Sequence, residues 1–280
     1  MIAICASALG YLYYTGSFLA SDSQSSSPRL QTELRVFIAS SLVNVAQNTS
    51  QSFEKANNCK IILNSGGSNS LYQQIISGSP CDVFISADFK WENQLNVSKL
   101  LYNSNYQNFT TNTLTVILPK DNPKNISSLL DLIKPGLKIV IADQSVPAGS
   151  YTNTTLTKID QTWGNSSNPQ YIGSQWQNYR ANFLANVVSY EINAEDVVGK
   201  VSLGLGTADA GVAFISDSIY KTMQGSQLQY IPIPSSINTR GTYGIAVING
   251  TNTADLATKY MNFWLSSEGQ NLLQTFGFGT

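Results

Sequence analysis

From Leu34 onward the chain alternates short apolar runs with longer segments of helical period, the pattern of βα units stacked on a parallel sheet. The runs LRVFIA (34–39), KIILN (60–64), CDVFIS (81–86), LTVILP (114–119), KIVIA (138–142), AGVAFI (210–215) and YGIAVI (243–248) predict strands. Helices are expected to begin near Ser41, Ser70, Phe89, Ser127, Gly149, Ala194 and Thr253. The class is therefore α/β. With 280 residues, 42% of them hydrophobic, the chain can bury one large core or two of ordinary size. The order of the runs suggests two α/β lobes: lobe I from 33–112 plus 250–280, and lobe II from 113–249, with hinge crossings near 112–114 and 240–250. In such folds ligands bind at the carboxyl ends of the strands, in the crevice between lobes.

What the chain lacks narrows its chemistry. It contains no histidine, which removes the commonest general base, the commonest transition-metal ligand and the usual third of a serine triad. Besides that it has only Cys5, Cys59 and Cys81, so no Cys/His zinc site can be assembled and no metal cation is expected. The net charge is −1 and Lys and Arg form no cluster, which excludes nucleic acid and an anionic membrane surface as partners. Residues 1–20 form an uncharged, mostly apolar stretch that reads as a signal peptide or an uncleaved membrane anchor, and 21–32 as a Ser-rich linker. Contact with a membrane is expected only there, with the rest of the chain outside the cell membrane, anchored or secreted. Sequons at Asn48, Asn96, Asn108, Asn125, Asn153, Asn165 and Asn249 fit an exported glycoprotein, although a chain so rich in Asn, Ser and Thr would contain nearly that many by chance.

The strand-to-helix junctions hold the candidate functional groups. The first strand runs into Ser40-Ser41-Leu42, where Ser41 either caps its own helix or offers its hydroxyl to a ligand. The next runs into Ser65-Gly66-Gly67-Ser68, whose glycines permit backbone conformations that turn N–H groups toward a small ligand at a helix start. No Gly-Lys-Ser/Thr follows, so this is not a nucleotide phosphate loop. Ser68 as a nucleophile would need a base, and histidine is absent. In DQSVPAGSY (143–151), Pro147 can open a helix with the N–H groups of Ala148 and Gly149 accessible. In NAEDVVGKV (193–201), Asn193 can cap a helix carrying Glu195 and Asp196 in its first turn. Four such starts converging would make a neutral pocket of donors for an oxyanion.

Four segments together resemble the molybdate/tungstate-binding proteins, the extracytoplasmic substrate-binding subunits of ABC transporters: VFIASSL (36–42), NSGGSNSLYQQIISGSPCDVFISAD (64–88), VPAGSY (146–151) with EINAEDV (191–197), and the stretch from Asp209 to Asp217. The resemblance runs from about Leu34 to Thr280. It implies a two-lobed fold of the type II periplasmic-binding-protein class, each lobe a mainly parallel sheet flanked by helices, closing on a dehydrated tetrahedral oxyanion. It places ligand hydroxyls at Ser41 and Ser68 and backbone donors at Ala148 and Val197, with Ser40 and Phe214 lining the pocket. It implies no cofactor and no catalysis, molybdate or tungstate as ligand, a monomer, and a permease with an ATPase as partners.

Where the family usually has a tyrosine hydroxyl on the ligand, this chain has Phe214, so Ser40, Tyr151 or Tyr190 is expected to compensate. Selection against the smaller sulfate would come from cavity size in a shell of fixed donors. The alternatives are a receptor for sulfate, thiosulfate or phosphate, and an exported hydrolase using Ser41 or Ser68. The family's sheet order puts the strands behind Cys59 and Cys81 on either side of the first, about 9.5 Å apart, too far for a disulfide.

Overall fold

The computed structural model describes residues 31–279 apart from 205. The expected signal or anchor segment 1–20, and most of the linker, lie outside the described residues. The linker ends earlier than expected, because the first strand, β1, spans Thr32–Ala39. Among the described residues no helix is long and apolar enough to cross a membrane.

The first half follows the expected alternation. β1 leads into α1 (Ser40–Asn57), β2 (Cys59–Gly66) into α2 (Ser68–Ile76), and β3 (Val83–Ser86) into α3 (Lys90–Val97). β1 is buried on both faces at Val36–Ala39, as a central parallel strand requires. In α1 the buried residues Leu42, Val45, Ala46, Thr49 and Phe53 recur with helical spacing, and Asn58 ends the helix in the left-handed region.

β4 is much longer than its apolar core, spanning Leu101–Leu118. Its polar first part, YNSNYQNFTTNT, pairs antiparallel with β9 (Arg240–Ile248), and its apolar end pairs with β7 (Ala210–Phe214) and β8 (Gln229–Pro232). Both expected hinge crossings therefore fall on or within these two long strands.

The second half contains β5 (Ile139–Ala142), α4 (Pro147–Thr162), α5 (Tyr179–Ala185), β6 (Val187–Glu191), α6 (Ala194–Ser202) and α7 (Ile215–Met223), and the chain ends in α8 (Ala254–Leu265) and α9 (Ser267–Thr275). The helix expected near Ser127 is only a short 3-10 turn, Leu129–Ile133. The irregular excursion at 165–178 is pinned by Trp176, whose ring meets Trp163 edge-on at 4.8 Å and Tyr179 at 5.5 Å.

The strand order is β2-β1-β3-β9-β4-β7-β5-β6, with β8 beside β4. β1 pairs in parallel with β2 and β3, and β5 with β6 and β7; β9 and β4 enter antiparallel between these two triplets. Because β2 and β3 flank β1, Cys59 and Cys81 are held apart, and both are free and buried.

Candidate functional site

Five strands end at one place, and five helices begin there. The junctions β1–α1, β2–α2, β5–α4, β6–α6 and β7–α7 surround a cavity to which each contributes its cap or first residues: Ala39, Ser40 and Ser41; Gly66, Gly67 and Ser68; Val146, Pro147 and Ala148; Asn193 and Ala194; and Phe214. Ala87, just after β3, completes the wall. None of these side chains is charged. The free space at the centre is about 10 Å³, roughly that of one water. As it stands, this space is smaller than an anion with four oxygens.

Each helix start leaves backbone N–H groups without intrahelical partners and carries the positive end of its dipole. α1, α2, α4 and α7 have no side-chain cap, a feature they share with α3, α5 and α8 elsewhere; what sets the four apart is that their starts meet at one cavity. Only α6, of the five, is capped, by Asn193 Oδ1 accepting from the Asp196 amide at 2.8 Å. The first turns of α1, α2 and α4 also lack the acidic residues that commonly offset the dipole. The cavity thus collects partial positive charge with no cation in its wall.

Both serines are set as donors. Ser68 is fully buried, and its Oγ accepts a hydrogen bond from the Ala87 amide at 3.0 Å, which leaves its own proton to give. Ser41 lies 3.0 Å from the Tyr243 hydroxyl, and Asn112 Nδ2 donates to that same hydroxyl at 3.3 Å. Neither serine caps its own helix, since the caps are Ala39 and Gly67. Nor does either meet a base: their partners are a phenol and a backbone amide, which removes the support for a serine nucleophile.

Gly66 and Gly67 differ from expectation in their reason for being glycine. Neither has a positive φ, and Gly67 is extended at φ −66°, ψ 135°. What requires glycine at 67 is proximity. A Cβ there would lie 2.9 Å from Val146 Cγ1, from the Ile192 carbonyl oxygen and from Asn69 Oδ1. Asn69 also donates across the cleft to Ser145 Oγ at 3.3 Å.

Of the residues expected at the site, Ser40, Ser41, Ser68, Ala148 and Phe214 line the cavity. Val197 does not. It is fully buried one turn into α6, beside Gly211 of β7, while Asn193 and Ala194 form the wall. With the helix starting at Ala194, Val197 is the first residue whose amide can reach the cap carbonyl, so its N–H is committed to the helix.

Of the three residues expected to substitute for the missing tyrosine, Ser40 lines the cavity and the two tyrosines fall elsewhere. Tyr151 donates its hydroxyl to the Ala87 carbonyl at 3.1 Å, and Tyr190 is 54% exposed on a separate cavity beside Arg180. Phe214 instead packs edge-on against Tyr151 and Tyr243, with ring centroids 6.2 and 5.8 Å apart. Tyr243 and Asn112 carry no local sequence signal; only the strand pairing brings them behind Ser41.

Of the buried carboxyls in the elements around the cavity, two are pushed toward the neutral form, while Glu191 of β6 is paired with Lys200. Burial pushes Glu92 of α3 up to about 8, against hydrogen bonds from the Ser86 hydroxyl and amide that lower it. Asp217, in the first turn of α7, is pushed up to about 8 by burial and by Glu195. Both are therefore mainly neutral at pH 7 and oppose an anion little. Burial likewise raises the phenols of Tyr151 and Tyr243, which stay protonated. Among the described residues no cluster of three His, Cys, Asp or Glu side chains could hold a metal cation.

Comparison with known proteins agrees with this geometry. Residues 34–279 match the family model of bacterial extracellular solute-binding proteins. The molybdate-binding protein ModA of Mycobacterium bovis is 31% identical over 264 residues, covering 92% of this chain and 90% of that protein. The substrate-binding domain of a putative molybdenum ABC transporter from Clostridium difficile superposes with a TM-score of 0.63 at 28% identity, over 89% of this chain and 99% of the other. The sulfate-binding protein SubI of Mycobacterium tuberculosis shares the fold, with a TM-score of 0.74 at 16% identity over 89% of this chain and 86% of the other.

Proposed function

We infer the function from the premise that this chain belongs to the bacterial extracellular solute-binding protein family: it binds molybdate or tungstate outside the cell and delivers it to an ABC permease with its ATPase. The observation that carries this reading is the convergence of five helix starts on a cavity with no charged wall. Such a site suits an anion whose charge is spread over several oxygens, each met by a neutral donor. Ser41 and Ser68 give hydroxyl protons, and the amides at the starts of α1, α2, α4 and α6, with Ala148 among them, give the rest. The names of the relatives supply the choice of molybdate among tetrahedral oxyanions, and tungstate joins it as an oxyanion of the same charge, shape and nearly the same size.

Binding proceeds by closure. One lobe carries Ser41 and Ser68, the other Ala148 and Asn193, and donors from both meet the ligand only when the walls come together about β4 and β9. The protein acts as a monomeric receptor and not as an enzyme, held at the outer face of the membrane or released according to the fate of residues 1–20. Of the sequons, Asn48, Asn108, Asn125, Asn165 and Asn249 are exposed, whereas the Asn153 oxygen is held by the Arg180 guanidinium at 2.8 and 3.0 Å.

Titration calorimetry with molybdate, tungstate, sulfate and phosphate tests the assignment. The two larger oxyanions are expected to bind at least about a hundredfold more tightly than sulfate, because a shell sized for the longer metal–oxygen bonds leaves sulfate's hydrogen bonds stretched. Sulfate or phosphate binding as tightly as molybdate would replace the ligand but keep the site. Binding of none of the four would end the reading.

A further inference from the structure

The Phe214 ring leaves the cavity without the tyrosine donor that the family usually has, while Ser41 in the same wall is backed by a set of buried hydrogen bonds. Asn112, Tyr243, Ser216 and Ser41 are all buried, between 0% and 5% exposed. The Asn112 carbonyl oxygen accepts from the Thr113 amide at 3.0 Å, so its amide group must face the other way. There its two protons go to Ser216 Oγ at 2.8 Å and to the Tyr243 oxygen at 3.3 Å. Tyr243 then has one proton of its own and one acceptor beside it, Ser41 Oγ, at 3.0 Å. If Ser41 donated to Tyr243 instead, the phenol proton would be buried with no acceptor, at a cost of about 1–3 kcal/mol. The direction that gives every proton an acceptor runs from Asn112 to Tyr243 and from Tyr243 to Ser41, whose own proton is then left for the cavity that Ser41 lines.

We propose that Asn112 and Tyr243 form a hydrogen-bond relay that holds Ser41 as an oriented donor to the bound oxyanion, and that Tyr243 thereby supplies at second hand the hydroxyl that Phe214 lacks. Both are positioning residues, since neither lines the cavity. A chain of hydroxyls polarised in one direction strengthens the last donor when it meets an anion. The relay also spans the fold. Asn112 lies on β4 and Tyr243 on β9, the long strands that join the halves, while Ser41 lies in the first turn of α1 and Ser216 in the first turn of α7. Donor alignment at Ser41 is thus tied to the relative placement of the halves.

The proposal rests on the oxyanion-binding reading, and a double-mutant cycle with tungstate as the probe separates the two. In the full chain, Tyr243→Phe is expected to weaken tungstate binding about tenfold, the effect of one hydrogen bond acting through a second. Ser41→Ala should weaken it more, and the double variant should match Ser41→Ala within about twofold, because the relay has no other route to the ligand. Asn112→Ser, which leaves the phenol in place, should weaken binding in wild type but not in the Ser41→Ala background. A merely structural role for Tyr243 would instead give losses that add to that of Ser41→Ala. Additive losses, or Tyr243→Phe binding as wild type does, overturn the relay while leaving the function intact. A wild type that binds no oxyanion overturns both.

Discussion

Replacement of Ser68 by alanine is expected to raise the dissociation constant for molybdate or tungstate by about 10- to 150-fold, as measured by titration calorimetry. Hydrogen bonds to a charged partner contribute about 1.5–3 kcal/mol each, and 1.4 kcal/mol is a factor of ten. The effect falls at the upper end if the site stays dry, because water then cannot fill the place of the missing donor. Ser68 also accepts from the Ala87 amide at 3.0 Å, so the empty variant should melt a few degrees lower, its amide having lost a buried partner. Ser68→Thr keeps both roles and should recover most of the affinity and the melting temperature. Unchanged affinity in Ser68→Ala would mean that the oxyanion lies elsewhere.

Gly67→Val should do more damage to binding, by a different route. A Cβ at 67 meets the Ile192 carbonyl and Val146 Cγ1 at 2.9 Å, and the first of these is backbone that cannot rotate away. The branched side chain would prop the walls apart, so that donors from α4 and α6 no longer reach a ligand held by Ser41 and Ser68. Losing two or more charge-assisted hydrogen bonds costs about 3–6 kcal/mol, an affinity loss of at least about a hundredfold. The empty protein should melt nearly as wild type, because φ −66° and ψ 135° suit any residue. Scattering in solution should show wild type contracting on addition of tungstate and the variant failing to contract. A variant that still contracts and binds would mean that this close approach plays no part in closure.

The strand-to-helix junctions were readable because apolar runs such as LRVFIA and KIVIA change abruptly to a period of 3.6 residues. The same junctions fix Ser41, Ser68 and Ala148 around one cavity, since a parallel sheet brings the carboxyl ends of its strands to one side. Residues 101–113 gave no such signal. Their Asn residues, poor strand formers, interrupt the Tyr, Phe and Thr positions and hide the period of two, and the stretch is held as a strand by pairing with β9 through two register shifts. α5 and β6 follow the irregular 165–178 stretch, where Trp176 packing, and not local propensity, sets the path. The fifth helix start, α7, was hidden because Ile215 reads as the last residue of an apolar strand.

Val197 was placed at the site by motif alignment, but the helix begins at Ala194 and so commits the Val197 amide to its own first turn. Tyr243 could not be found from sequence at all. Its tie to Ser41 joins residues 202 positions apart, and nothing in YGIAVI distinguishes that phenol from an ordinary buried tyrosine. The glycine pair shows the same limit in another form. A Gly-Gly turn suggests backbone freedom, whereas the requirement at Gly67 is for space against an element some 80 to 125 residues further along.

The proposed site is one neutral cavity of helix starts and serine hydroxyls that holds a tetrahedral oxyanion. Crystals of the protein grown with tungstate test it most directly, because tungsten scatters anomalously. A single strong peak is predicted between Ser41, Ser68 and Ala148, with tungstate oxygens at about 2.6–3.0 Å from Ser41 Oγ and Ser68 Oγ and no Lys or Arg in contact. A peak beside Arg180, or none in the cleft at a tungstate concentration that saturates binding in solution, would contradict the claim.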